Sequence, residues 1–299
     1  MEGAETFRQE LAKSQQYRDQ EIIIVPLALR GFKQPQQLFT LQYFLLQGFE
    51  FDAVINIDGF NEVALHPAEN AHRKIAITYP RNWDYRVREI ATPESVESIY
   101  QILSGRRSRQ EWANRFAVMP YRYSTTLNWI WRLGDSSYHR AIQTEQERLM
   151  AQKVSGIPLF LQTGPHRDYS SEQQMFIELA QLWRNSSLQL HRICEANGIA
   201  YYHLLQPNQY YEGSKPMSAE ERASVILPGH PYSAGVIHGY PLLRHEGTEL
   251  VKQGVRFTDL TMLFANTQDQ VYRDNCCHYN ELGSKMLAQA VAGAVLSAE

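Results

Sequence analysis

An aspartate and a histidine four residues apart, Asp274 and His278 in "VYRDNCCHYNELG", are the residue types best suited to chemistry in this 299-residue chain. A carboxylate that accepts a hydrogen bond from one imidazole nitrogen fixes the tautomer of the ring. The other nitrogen is then free to take a proton from a hydroxyl nucleophile. The pair therefore supplies the base and the orienting acid of a hydrolase triad, although a lone histidine is most often a structural hydrogen-bonding residue. Cys276 and Cys277 lie between them. Adjacent cysteines direct their side chains apart, structural zinc sites separate theirs by about two to four residues, and a disulfide between neighbours closes a strained small ring. The pair reads as two small thiols packed under a loop, with no metal and no cofactor expected.

Both residues sit in a loop that opens the last helix, so the elements before it must position them. Short apolar runs alternate with helical stretches, the pattern of an α/β chain with a mainly parallel sheet. "EIIIVPLAL" (21–29) reads as a buried strand, and "PQQLFTLQYFLLQGF" (35–49) as a helix with Pro35 in its first turn and Gly48 at its end. "FDAVINIDG" (51–59) reads as the next strand. The clearest helix spans 169–198, capped by Ser170 or Ser171 and stopped at Asn197 and Gly198, and "IAYYHLLQP" follows it as a strand. Further helices are expected in "YPLLRHEGTELVKQG" (240–254) and "NELGSKMLAQAVAGAVLSA". Residues 63–150 break the rhythm. Within a single domain over 1–299 they read as a helical insertion, with an aromatic segment "YRYSTTLNWIWRLG" followed by a polar helix, and they suit a lid or a partner surface.

Apolar residues make up 43% of the chain and aromatic ones 11%, enough to bury a full core. The net charge of −3, from 29 basic and 32 acidic residues mixed along the sequence, advertises no face for nucleic acid or an acidic membrane. No apolar run reaches the roughly 18 residues of a membrane span, so no integral membrane segment is expected. Three cysteines are too few for a disulfide-built scaffold. Compartment and oligomeric state stay open. A nucleotide module of flavodoxin type would need a glycine-rich phosphate loop after the first strand, and none follows 21–29.

A glycine-centred loop after a strand, "ALRGFKQPQQL", precedes a G-x-N-D/E turn after the next strand, "IDGFNEV", and an aspartate and histidine, "DNCCHYNELG", precede the C-terminal helix. This order resembles the SGNH, or GDSL-type, hydrolases over about residues 5–62 and 155–296. The resemblance implies a flavodoxin-like three-layer αβα fold and hydrolysis of an acyl or acetyl ester of a small-molecule or carbohydrate substrate, without a cofactor. It places Gly31 and Asn61 as oxyanion-hole donors, with Asp274 and His278 as the acid and base of the triad. The residue types suit those roles, because a backbone N–H and a side-chain amide can both reach the negative oxygen of a tetrahedral intermediate. The carboxyl edge of a parallel sheet is where such sites form.

The chain departs from the family pattern twice. The usual spacing is D-x-x-H, whereas three residues separate Asp274 from His278. The serine block, a strand ending in G-D/G-S before the first helix, has no counterpart, since "MEGAETFRQELAKSQ" already reads as that helix. Ser14 lies late in it with no strand or glycine turn ahead. On this reading the first strand, the nucleophile and any export signal lie upstream of Met1. A competing expectation is a non-catalytic α/β interaction module that holds a partner with Trp112, Trp129 and Trp131 of the insertion. Gln206 and Asn208, after the 199–205 strand, can bind a polar substrate or cap the turn.

Overall fold

The structure, a computed structural model, describes residues 2–81, 83, 93–118, 121–151, 163–165 and 168–297. The chain divides into two compact units, Met1–Trp83 with Thr163–Glu299, and Asp84–Gln162.

The first unit is mixed α/β and mostly helical, built on a three-stranded parallel sheet in the order β1 (Ala53–Asp58), β2 (Ala200–Leu205), β3 (Arg256–Asp259). The register sets Asn56 opposite His203 and Leu205 opposite Asp259, so the carboxyl ends of the strands share one edge. The central strand, "AYYHLL", is buried almost throughout. Its two-residue period sends Tyr201 and Leu205 into one core with Phe60, Leu179, Trp183, Val236 and Tyr240. Tyr202 and Leu204 go into a second core with Leu11, Leu260, Val291 and Val295. Helices α2 (Gln36–Leu46), α3 (Phe60–Leu65), α6 (Glu172–Ala196) and α8 (Ser233–Lys252) supply the first core, and α1 (Glu2–Leu11) and α9 (Glu281–Ser297) the second.

Local sequence explains the helix lengths. The Ser171 hydroxyl caps α6 by accepting the Gln174 N–H, Met175, Phe176, Leu179, Trp183, Leu190 and Cys194 line its buried face, and Gly198 at φ 70° follows its end. Helix α8 begins at Ser233, earlier than the 240–254 expectation, and carries Pro241 inside it. The proline supplies no N–H for the Ile237 carbonyl one turn earlier, and Ile237 lies on the exposed side of the helix, 54% exposed.

The expected buried strand at 21–29 is not formed. Those residues make no ladder, and Ile23, Val25 and Leu29 are 75%, 51% and 65% exposed. A strand requires a partner for its backbone groups. The apolar sequence is present, but no strand pairs with it among the described residues. The outer edge of β1 is likewise unpaired among them, and Ile57 is 39% exposed there.

A buried polar network ties β1 to β2 and α6. Asp58 Oδ1 accepts Trp183 Nε1–H at 2.6 Å and lies 2.9 Å from His203 Nε2, while Oδ2 accepts the amides of Asn56 at 2.8 Å and Gln34 at 3.2 Å. On the far side of the ring His203 Nδ1 lies 2.7 Å from Ser187 Oγ. Ser187, His203 and Asp58 thus repeat the connectivity of a catalytic triad. Ser187 and His203 have no exposed surface, so no substrate reaches them and the chain of bonds is structural. Burial pushes the Asp58 carboxyl up, but His203 and the other donors outweigh it and hold the group below its ordinary value. Trp183→Phe removes one donor from this buried carboxylate and should cost about 2 to 3 kcal/mol in urea unfolding. A cost within about 0.5 kcal/mol of zero, the range of a surface substitution, would mean that Asp58 does not depend on the indole.

In the second unit α4 (Pro93–Ala117) packs against α5 (Thr125–Ala151), with α7 (Ala219–Val225) belonging to the first unit. Ile102 and Ile142 are buried between the helices, Arg109 holds Asp135 through two bonds of 2.6 and 2.8 Å, and Trp112 Nε1–H donates to the Trp131 carbonyl at 3.1 Å. After a short 3₁₀ turn at Tyr121–Tyr123, the rest of the aromatic segment and the polar helix expected here run as one continuous helix, Thr125–Ala151. The insertion begins at 84 rather than 63, because Val63, Ala64, Leu65 and Ile75 are buried in the first unit. Its polar, proline-bearing sequence "HPAENAHRK" hid that continuity.

Candidate active site

The loop bearing Asp274 and His278 follows β3. It is closed by a bridge between Tyr272 and Tyr279, by Arg273 N–H donating to the His278 carbonyl at 2.9 Å, and by Asn280 N–H donating to the Val271 carbonyl at 2.8 Å. Inside it Asp274 Oδ1 accepts three consecutive backbone N–H groups, of Cys276 at 3.0 Å, Cys277 at 3.2 Å and His278 at 3.3 Å. Asp274 Oδ2 meets His278 Nδ1 at 2.5 Å. Burial raises the Asp274 carboxyl, and the bonds from His278 and from the backbone N–H groups more than offset it, leaving the group below its ordinary value. The His278 side chain is 57% exposed, so the ring is open to solvent.

The segment after β2 holds this loop in place. Asn208 Nδ2–H donates to the Cys276 carbonyl at 3.1 Å, Gln209 Nε2–H to the Asp274 carbonyl at 2.9 Å, and Tyr210 O–H to the Asn275 carbonyl at 2.7 Å. Asn208, a candidate for substrate contact, is fully buried, and its Oδ1 accepts the Tyr210 N–H, so it serves the turn.

Gly31 and Asn61 come together at the same sheet edge. Asn61, just after β1, donates one amide hydrogen to the Phe32 carbonyl at 2.6 Å, next to Gly31, and keeps a second hydrogen on the same nitrogen. The Gly31 N–H has no acceptor among the described residues. Gly31 adopts φ 74°, and a Cβ there would overlap the Arg81 side chain. Arg81 bonds Glu69 and, at 3.3 Å, the Tyr232 hydroxyl. Tyr232 contacts the His230 ring at 5.0 Å, and His230 stacks at 5.8 Å on Tyr210, which holds the Asp274 loop. A continuous set of side chains therefore links the Gly31 loop to the Asp274 loop. Among the described residues no serine or threonine hydroxyl bonds the His278 ring. Ser14 is used elsewhere, its hydroxyl donating to the Leu11 carbonyl at 3.0 Å and accepting the Tyr17 N–H.

Beneath the Gly31 loop lies a group of buried titratable side chains that the motif alone did not assign. Glu62 accepts the Gln34 N–H at 2.9 Å, the Gln37 amide at 3.2 Å and the Gly59 N–H at 2.8 Å, which fastens the Gly31 loop to the turn after β1. Gly59 adopts φ 117° in that turn. Lys33 is buried and donates to the Ile77 carbonyl, and burial lowers its ammonium to about 8 against the opposing pull of Glu62. His66 is buried with no partner for either ring nitrogen among the described residues, and burial, with Lys33 nearby, lowers it to about 3. The signal for these roles was the D/E of the G-x-N-D/E turn, which marks Glu62 but not what it holds.

Burial and the adjacent Asp58 push Glu62 up to about 8 from an ordinary 4.5. The folded chain then keeps a proton that the unfolded chain releases. The stability linked to Glu62 is complete below about 4.5 and is lost as pH rises toward 8. Between pH 5 and 8 the unfolding free energies of wild type and Glu62→Gln should shift relative to each other by about 3 kcal/mol in favour of the variant. Urea titrations at the two pH values measure this. A gap that does not change with pH would contradict a protonated Glu62.

The geometry can orient a histidine as a base and present two N–H donors at one sheet edge, and among the described residues it lacks the hydroxyl to be activated. Comparison with known proteins finds no match for this chain among family models, curated proteins or solved structures.

Proposed function

We propose that the first unit is an SGNH-like acyl-ester hydrolase domain on a flavodoxin-like three-layer scaffold, with its nucleophilic hydroxyl carried by a strand that pairs with the open edge of β1. The contact between Asp274 Oδ2 and the ring of solvent-exposed His278 carries this reading. In the reaction the hydroxyl proton passes to the free nitrogen of His278 as the oxygen attacks the ester carbonyl. Asp274 holds the tautomer and stabilises the imidazolium. The Gly31 N–H and the second Asn61 amide hydrogen receive the oxyanion. His278 then returns the proton to the leaving alcohol, and water repeats the sequence on the acyl-enzyme.

Two features support a strand at that position. Parallel strands are ordinarily covered on both faces and flanked by neighbours, yet the apolar strand β1 is open along its outer edge and Ile23, Val25 and Leu29 of the nearby sequence are exposed. Helix α1 also starts beside the start of α9: a Cβ on Gly3 would lie 3.6 Å from the Ser284 carbonyl oxygen, close after His278 in sequence. A residue entering α1 therefore stands near the helix that follows the His278 loop in sequence. The substrate on this reading is an acyl or acetyl ester of a small molecule or carbohydrate.

The test extends the polypeptide ahead of Met1 by an apolar strand of about six residues ending in Gly-Asp-Ser, a length matched to β1. Hydrolysis of p-nitrophenyl acetate should appear in the extended protein. A folded extended protein with no activity above the unextended chain would sink the reading. A non-catalytic interaction module remains the second reading, favoured by Trp129, which is 62% exposed on α5 beside exposed Ile130 and Leu133.

A further inference from the structure

Adjacent cysteines ordinarily direct their side chains apart, and in this loop they do not. Cys276 Sγ and Cys277 Sγ are 3.2 Å apart, closer than two unbonded sulfurs prefer and too far for a disulfide. The cause is the Asp274 turn. By gathering the N–H groups of Cys276, Cys277 and His278 on one oxygen it curls the backbone and brings the side chains round to one side. A nitrogen of the His278 ring and the two sulfurs all lie within 4.8 Å of one another. The carbonyls of Asn275 and Cys276 are meanwhile pinned by Tyr210 and Asn208, so the loop is held from both sides.

We propose that Cys276, Cys277 and His278 form a site for one Zn²⁺ ion, bound by two thiolates and one imidazole nitrogen with a fourth position open to water. Two sulfurs and an imidazole are the donor set that a borderline-soft d¹⁰ cation selects. Tetrahedral zinc with bonds of about 2.3 Å to sulfur and 2.0 Å to nitrogen holds its sulfurs about 3.8 Å apart and each about 3.5 Å from the nitrogen. The sulfurs need to open by about half an ångström and the ring to close by at most about 1.3 Å, within the reach of side-chain torsions. Binding releases both thiol protons to solvent. With Nε2 as the ligating nitrogen, Asp274 stays on Nδ1 as the carboxylate partner of a ligating histidine.

Occupancy takes the lone pair that His278 needs as a base. Zinc is therefore a reversible inhibitor of the proposed hydrolase, a consequence that rests on the functional reading, while the metal site itself does not.

The direct test titrates the reduced 299-residue protein with Co²⁺ as a spectroscopic probe and then displaces it with Zn²⁺. One equivalent of Co²⁺ should give near-ultraviolet thiolate charge-transfer bands and the strong visible bands of tetrahedral coordination. Cys276→Ser and Cys277→Ser should each lose about half of the charge-transfer intensity, Cys194→Ser should lose none, and Asp274→Asn should weaken binding by about tenfold or more. In the unmutated protein Zn²⁺ should protect Cys276 and Cys277 from iodoacetamide, read by peptide mass, which keeps the test free of any folding defect in the variants. No charge-transfer band, a band that follows Cys194, or alkylation indifferent to Zn²⁺ would overturn the site. Zinc binding in a protein whose strand-extended form hydrolyses nothing would leave the metal site standing and remove the hydrolase reading.

Discussion

His278→Ala in the strand-extended protein should lower ester hydrolysis by about 10⁶-fold in kcat, the scale seen when a triad histidine is removed. The size follows from geometry. Asp274 Oδ2 orients the His278 ring at 2.5 Å while the ring itself is exposed, unlike His203, which Asp58 holds in full burial. Without it the hydroxyl of the nucleophile has no acceptor for its proton, and only donor and binding effects survive. Asp274→Asn should cost less than the histidine and should also loosen the loop, because the asparagine keeps one acceptor oxygen for three N–H groups and the ring together. Steady-state kinetics on p-nitrophenyl acetate, with a melting curve for each variant, separates these effects. A His278→Ala protein that retains more than about a tenth of the extended protein's rate would exclude His278 as the base.

Asn61→Ala should reduce kcat by about 10² to 10³ with little change in KM, because an oxyanion donor acts on charge that exists only in the transition state. Asn61 also has a structural duty, donating to the Phe32 carbonyl at 2.6 Å beside Gly31. Losing that neutral bond should cost about 1 kcal/mol of stability. The catalytic and structural parts are told apart by temperature: a purely structural role predicts that activity recovers well below the melting transition, and an oxyanion role predicts that the kcat deficit persists. An equal rise in KM with kcat unchanged would make Asn61 a ground-state binding residue instead.

The helices with strong caps and periodicity were legible from sequence. Ser171, Asn197 and Gly198 bound α6, and the burial of β2 on both faces follows from the apolar run "AYYHLL". The 21–29 segment was not legible, since its apolar run carries strand propensity but a ladder depends on a neighbour that the run does not encode. Residues 63–75 hid for the opposite reason, the polar stretch after Leu65 masking that Val63, Ala64, Leu65 and Ile75 are buried in the first unit. At the candidate site, Gly31, Asn61, Asp274 and His278 could be named from their motifs. Arg81, Glu69, Tyr232, Asn208 and Tyr210 could not, because they hold the site through contacts between segments far apart in sequence. The convergence of Cys276 and Cys277 was also out of reach, since it depends on Asp274 drawing three N–H groups onto one oxygen.

Labelling with a fluorophosphonate, which reacts only with an activated serine, tests the central claim most directly. The 299-residue chain should remain unlabelled, the strand-extended protein should be labelled on the added serine, and His278→Ala in that protein should abolish the label. Labelling of the unextended chain on one of its own serines, or a folded extended protein that takes no label, would contradict the account.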